Sequence, residues 1–249
     1  MSTRCSCDPV ASQELVDRIG LESDTNLSHS RRVLVLEESR SLLHPALHDR
    51  LVKRILERYL FDYSVQESRV PRFLMNDILR YWRTVAVDYQ AKRWEELRAK
   101  KWGLRYLKLR STRKLTFAGS LAGTLMPAIL GDITTADSLK AQFDKPALAR
   151  IASLAPVAVG TSAEQPLRRV LRIADRFVGW LAAEDWRNEM AAVVDPKDAK
   201  EGSRFELARD ETVSLQSALD GLFHSDIPVE GSTSEITTLR DLTRHYLMF

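Results

Sequence analysis

Asn76, Arg80 and Arg83 stand at i, i+4 and i+7, a spacing that puts their side chains on one face of a helix. An amide and two guanidiniums in a row can hold an anion through several charge-assisted hydrogen bonds, with arginine able to bind two oxygens at once. Arg105, Lys108, Thr112 and Arg113 make a second basic row further along. If the two helices packed antiparallel, the rows would converge on one pocket, and phosphate groups are the natural ligand for it. The competing reading is structural: Arg80 and Arg83 pair with Asp77, Asp88 or Glu37 inside a helical bundle. Both rows belong to the stretch Asn76 to Lys114, which holds twelve Lys and Arg against four acids, interleaved with Tyr81, Trp82, Tyr89, Trp94, Trp102 and Tyr106. Burying such charges unpaired is costly, so an anionic partner is expected, internal or external. Lys92, Arg93, Arg98, Lys100 and Lys101, close to Glu95 and Glu96, read as solvated charges. Tyr81, Trp82 and Trp102 read as core side chains in preference to base-stacking platforms.

Other chemistries lack their motifs. The chain has no G-x-x-x-x-G-K-[ST] loop, no G-x-G-x-x-G, no G-x-S-x-G and no H-E-x-x-H. His44 and His48 are four apart, but Pro45 marks a helix start there and no third ligand is evident, so no metal site is expected. Cys5 and Cys7, the only cysteines, cannot build a four-ligand zinc site and suit a disulfide poorly. They read as free thiols in a reducing cytoplasm, on a disordered segment without a secretory signal. The net charge of +3 on 249 residues is too small for nonspecific coating of DNA. Leu115 to Gly131 carries no charge but is shorter than the about 20 apolar residues a membrane span needs, and reads as a buried core helix.

The elements that must position the basic rows follow from periodicity and punctuation. Gln13 to Ile19 reads as a short helix stopped by Gly20, and Thr25 or Asn26 caps a helix through Ser39. Pro45 opens a helix whose stripe runs through Leu47, Leu51, Ile55, Leu56, Tyr59 and Leu60. Pro71 starts the longest periodic run, to about Arg98. A break at Lys100 to Gly103 precedes a helix to about Phe117, and a core helix ends near Leu130. Thr135 caps a short helix, Pro146 opens the next, and Ala155 to Thr161 reads as a loop. Ser162 with Gln165 forms a capping-box pattern before a helix running to Val194. Pro196 to Gly202 is a polar turn, and Phe205 to Phe223 a further amphipathic helix. Ser225 to Thr233 is a linker, and Ser232 with Glu235 is a second capping box before a final helix reaching almost to Phe249. No alternation supports a sheet. The expected class is all-α, a bundle of eight to ten helices divided into a disordered 1–11, a helical core 12–131 and a second bundle 132–249 packed on the first.

Three segments, Arg31 to Leu60, Pro71 to Glu96 and Lys100 to Leu121, resemble the helical C-terminal part of bacterial nucleotidyltransferases of the polymerase-beta superfamily. Asn76, Asp77, Arg80, Tyr81, Arg83 and Thr84 match one run of that family. Trp102, Arg105, Lys108, Leu109, Arg110, Arg113 and Lys114 match another, and the terminal HYLMF fits the family's ending. In the family a small mixed sheet with a Gly-Ser turn and a D-x-D metal pattern precedes the helices. This chain has neither the pattern nor room for the sheet before Arg31. The resemblance therefore implies a nucleotide- or substrate-binding helical domain, inactive alone, that is the helical portion of a larger protein, the product of a truncated gene or one part of a split enzyme, with Arg80, Arg83, Arg105 and Lys108 on the phosphate side. It implies no cofactor in this chain; Mg and a nucleoside triphosphate are expected only where a separate subunit supplies the catalytic domain. The expected partners are that subunit and a nucleotide or other phosphate-bearing ligand, with nucleic acid ranked behind and no membrane. The alternative is a helical regulatory or interaction module whose basic face docks an acidic protein.

Overall fold

A computed structural model describes residues 11–61, 70–95, 101–195, 197, 200–231 and 235–247, without the side chains of 92–95. Cys5, Cys7, Lys92, Arg93, Trp94, Glu95, Glu96, Arg98, Lys100, Ser232 and Phe249 thus lie outside what it describes, in whole or in side chain. Among the described residues the chain is all-α, without a strand. An isolated antiparallel bridge joins Pro228 to Thr238.

The first half runs α1 (Ser12–Asp17), α2 (Asn26–Glu37), α3 (Pro45–Leu60) and α4 (Arg72–Glu95), then α5 (Trp102–Lys108), a π segment (Leu109–Arg113) and α6 (Lys114–Ile129). The second half runs α7 (Ala136–Phe143), α8 (Ala147–Ala152), α9 (Ala155–Ala158), α10 (Glu164–Ala182), α11 (Glu184–Ala192), α12 (Arg204–Phe223) and α13 (Leu239–Leu247). Local chemistry sets most of these ends. Thr25 accepts a hydrogen bond from the Ser28 amide at the start of α2. Thr135 and Ser138 form a reciprocal capping box at α7, and Pro45 occupies the first turn of α3. Gly20 ends the first helical segment at φ +78, a backbone that costs glycine nothing.

Four boundaries differ from the sequence expectation. First, α5, the π segment and α6 form one unbroken helical run. The π turn inserts an extra residue, which rotates everything after it about the axis. Second, Ala155 to Thr161 contains the single turn α9. Third, the Ser162 capping box does not form; Ser162 instead binds the Asp226 carboxylate, and its helix breaks at Ala183 (φ −75, ψ 123). The break is held from outside: Arg187 donates to the carbonyls of Leu181 and Ala182, both at 2.7 Å, and Trp180 stacks on Trp186. Fourth, the last helix is started by Thr238 and Asp241, each backbone amide meeting the other's side chain, so Glu235 precedes the cap.

α6 is the axis of the packing. From Ala118 to Ile129 every side chain is buried, and α4, α7 and α8 pack around it. α8 approaches closely because Gly119 faces the Ala147 backbone. The larger apolar core runs from Val16 in α1 to Tyr246 in α13 and so crosses the expected boundary at 131/132. A smaller core of Trp102, Leu107, Trp186, Met190, Phe205 and Ala208 ties α5 to α11 and α12.

Candidate functional site

Among the described residues the two basic rows lie on helices with different main packing partners. α4 packs on α2 and α6, whereas α5 packs on α11 and α12. Arg80 donates to the Asp77 carboxylate at 3.2 Å and to Asn26 at 3.5 Å. Arg83 is exposed. Asn76 is exposed beside a shallow cavity of about 260 Å³ shared with Arg72, Met75, His245 and Tyr246. Arg105 is half-buried and Lys108 exposed on α5. The π segment divides the second row: Arg113 turns to α2 and pairs with Glu38 at 2.6 Å.

Asp77 belongs to a buried network between α2, α3 and α4. Arg32, fully buried, reaches Asp24 with both terminal nitrogens and Asp77 at 2.8 Å. The Tyr59 hydroxyl donates to the same Asp77 oxygen at 2.7 Å. Burial and the Asp77 carboxylate hold that hydroxyl well above its ordinary range. Every charge here has a partner in the chain, so the network reads as a structural clamp.

A second buried cluster joins α2, α6 and α8. Arg150, also fully buried, donates to Ser120 Oγ at 3.1 Å, and Ser120 in turn donates to Glu37 Oε1. Burial pushes the Glu37 carboxyl up to about 7, against the pull of Ser120 and Arg150. Glu37 Oε2 has no hydrogen-bond partner among the described residues. A niche of about 10 Å³, the size of one water, opens beside it under Tyr81, Arg113 and Thr116.

Trp82 and Phe117 stack at 5.3 Å and form the wall between this niche and a much larger pocket. The pocket, about 640 Å³, lies between α4, α6, α12 and α13. Its apolar surface comes from Leu79, Leu121, Leu219, Phe223 and Leu247 besides the two rings. Five polar side chains line it: Lys114, Gln216, Asp220, His224 and Thr243, the last with its hydroxyl donating to the Phe223 carbonyl. Lys114 Nζ donates to Gln216 Oε1, and His224 Nδ1 lies 3.2 Å from the Asp220 carboxylate. Burial, reinforced by Arg110, lowers the Lys114 ammonium to about 8. A mostly apolar cleft of this size, with a few convergent polar groups and a perturbed lysine, is the usual form of a small-molecule site.

Lys114, Glu37 and Arg150 are not among the candidates read from the sequence, although a signal for two of them is present. Arg32 and Glu37 fall on the same α2 stripe as His29, Val33 and Leu36, and Lys114 precedes the α6 stripe of Phe117, Ala118 and Leu121. A charge on an apolar stripe marks an inward-facing ion. Arg150 has no such local signal.

No helix among the described residues is long and apolar enough to cross a membrane. Compared with known proteins, the chain matches no family model, no curated protein and no solved structure.

Proposed function

We propose that the protein is a helical nucleotide- or substrate-binding domain related to nucleotidyltransferases, and that its ligand occupies the pocket between α4, α6, α12 and α13. The supporting observation is that the two sequence runs carrying the resemblance meet there: Trp82 comes from the first and Lys114 from the second. The apolar surface accepts a heterocyclic ring, with the Trp82–Phe117 stack as its flat wall. The Lys114 ammonium, oriented by Gln216, holds a phosphate oxygen at the pocket. The Asp220 carboxylate and, with its Nδ1 held by the Asp220 carbonyl at 3.0 Å, the His224 Nε2 supply acceptors for sugar hydroxyls. The assignment moves the phosphate contact from Arg80, Arg83, Arg105 and Lys108 to Lys114, because none of the former lines this pocket.

Nucleotidyl transfer in this reading would need a separate subunit whose metal-binding carboxylates present Mg to the phosphates of the nucleotide held here. This chain contributes binding and orientation.

Calorimetric titration of ATP and GTP tests the reading. Lys114→Met should weaken binding at least tenfold at pH 7. The native affinity should fall as pH rises through about 8, where the lysine loses its proton, and the variant should lack that dependence. Unchanged affinity in Lys114→Met, or an absence of nucleotide binding at millimolar concentration, would refute it.

A further inference from the structure

α10 carries four arginines on the face opposite its buried stripe of Leu167, Val170, Ile173, Ala174 and Phe177: Arg168, Arg169, Arg172 and Arg176. Like charges four residues apart on a helix repel, so the row weakens the helix unless something compensates it. α12 makes the row one wall of a groove of about 560 Å³, whose other wall includes Ser214 and Ser217. Four guanidiniums and a single carboxylate, Glu211, line this groove. Two arginines are neutralised at its ends, Arg168 by Glu164 at 3.0 Å and Arg176 by Glu211. Of the inner two, among the described residues, Arg169 hydrogen-bonds the Ser214 hydroxyl at 3.3 Å and pairs with no carboxylate, and Arg172 has no hydrogen-bond or ion-pair partner.

Three features separate this groove from an ordinary solvated helix face. It is concave, its cations are all arginine, and hydroxyl donors stand across from them. Guanidiniums bind phosphate oxygens in pairs, and serine hydroxyls complete the set of donors around such a group. From Arg169 to Arg176 the helix rises about 10 Å, a span that a short run of linked phosphates bridges and a single phosphate does not. The geometry points to a second binding site in this groove for a small molecule bearing two or three linked phosphates, with Arg169 and Arg172 as its principal contacts. α12 serves both sites: Ser214 and Ser217 face this groove, while Gln216, Leu219 and Asp220 face the apolar pocket.

Inorganic tripolyphosphate, which has no ring for the apolar pocket, is the probe, titrated into the full chain at about 150 mM salt. Saturable binding that falls at least tenfold in Arg169→Ala/Arg172→Ala and is unchanged in Lys114→Met is the expected result. All these positions are on the surface or half-exposed, and matching circular dichroism and melting curves establish that each variant is folded. Arg50→Ala/Arg54→Ala, an equal charge change at two exposed positions of α3, should leave the affinity unaltered. The proposal is overturned if the Arg169→Ala/Arg172→Ala variant binds as the native chain does, or if Arg50→Ala/Arg54→Ala loses as much, which would make the effect one of overall charge. Tighter binding of a single-stranded oligonucleotide, with affinity dropping steeply against salt, would also overturn it in favour of a nucleic-acid surface. Failure of the ring-bearing pocket in the nucleotide titration leaves this outcome untouched, because the two readouts use different ligands and different variants.

Discussion

Asp77 shows how much a single carboxylate does in this chain. Its two oxygens receive Arg32, Tyr59 and Arg80, and two of those three are buried with it. Asp77→Ala strands part of the Arg32 charge and the Tyr59 hydroxyl in the core. Urea denaturation at pH 7 should show a loss of about 3 kcal/mol, the usual cost of breaking a buried pair from one side. Glu37 gives a pH signature of its own. Its folded pKa, about 7, lies above the unfolded value near 4.5, so the native state holds a proton that the unfolded chain releases. That contribution is fully present below about pH 4.5 and is lost as pH rises through 7, by about 3 kcal/mol in all. Glu37→Gln removes the titration, so its stability measured at pH 5 and pH 8 should differ by less than that of the native chain. A native chain with no extra loss between those two values would contradict the assignment. The polar residues read from the sequence include Asp77 as a partner of Arg80, which the structure shows, but not Arg32. Nothing within a few positions of Arg32 announces that Asp24, Tyr59 and Asp77 will surround it.

Among the elements, α6 is the one whose close contacts leave least room. A Cβ on Gly119 would lie 2.5 Å from the Ala147 carbonyl oxygen, a backbone atom that moves only if α8 moves. Gly119→Ala should therefore lower the melting temperature by an amount equivalent to about 2 kcal/mol. At Gly123 the new methyl would meet Arg150 Cδ at 3.1 Å, a side-chain contact that a shift of a few tenths of an ångström relieves, and Gly123→Ala should cost less. If calorimetry ranked the two the other way, the α6–α8 contact would be misjudged. The caps of α2 and α7 and the proline start of α3 are local signals, and they are legible without the fold. The π segment and the break at Ala183 are not. Leu109 to Arg113 contains neither glycine nor proline, and Ala182-Ala183 is a pair of good helix formers. Both irregularities answer to packing: the Trp180–Trp186 stack and the Arg187 cap lie across the break, and α5 must lie against α11 while α6 fills the main core.

At the scale of the molecule, the larger core draws side chains from α1 through α13, and α6 meets α8 more extensively than any other pair of helices meets. Residues 12–131 expressed alone would expose the α6 face that α7 and α8 cover. They should give no cooperative thermal transition by circular dichroism, whereas the full chain should. A sharp transition in the fragment would establish two independent bundles. The helical class and most helix starts were set by the sequence itself, because a 3.6-residue stripe, a capping side chain and a proline act within one or two turns. The tertiary structure alone decided which charges turn inward and what they meet. Asp77 is 45 residues from Arg32, Ser120 is 83 from Glu37, and Gln216 is 102 from Lys114. Coulomb attraction and desolvation depend on distance through space and on burial, and chain separations of that size leave both undetermined until the helices have packed.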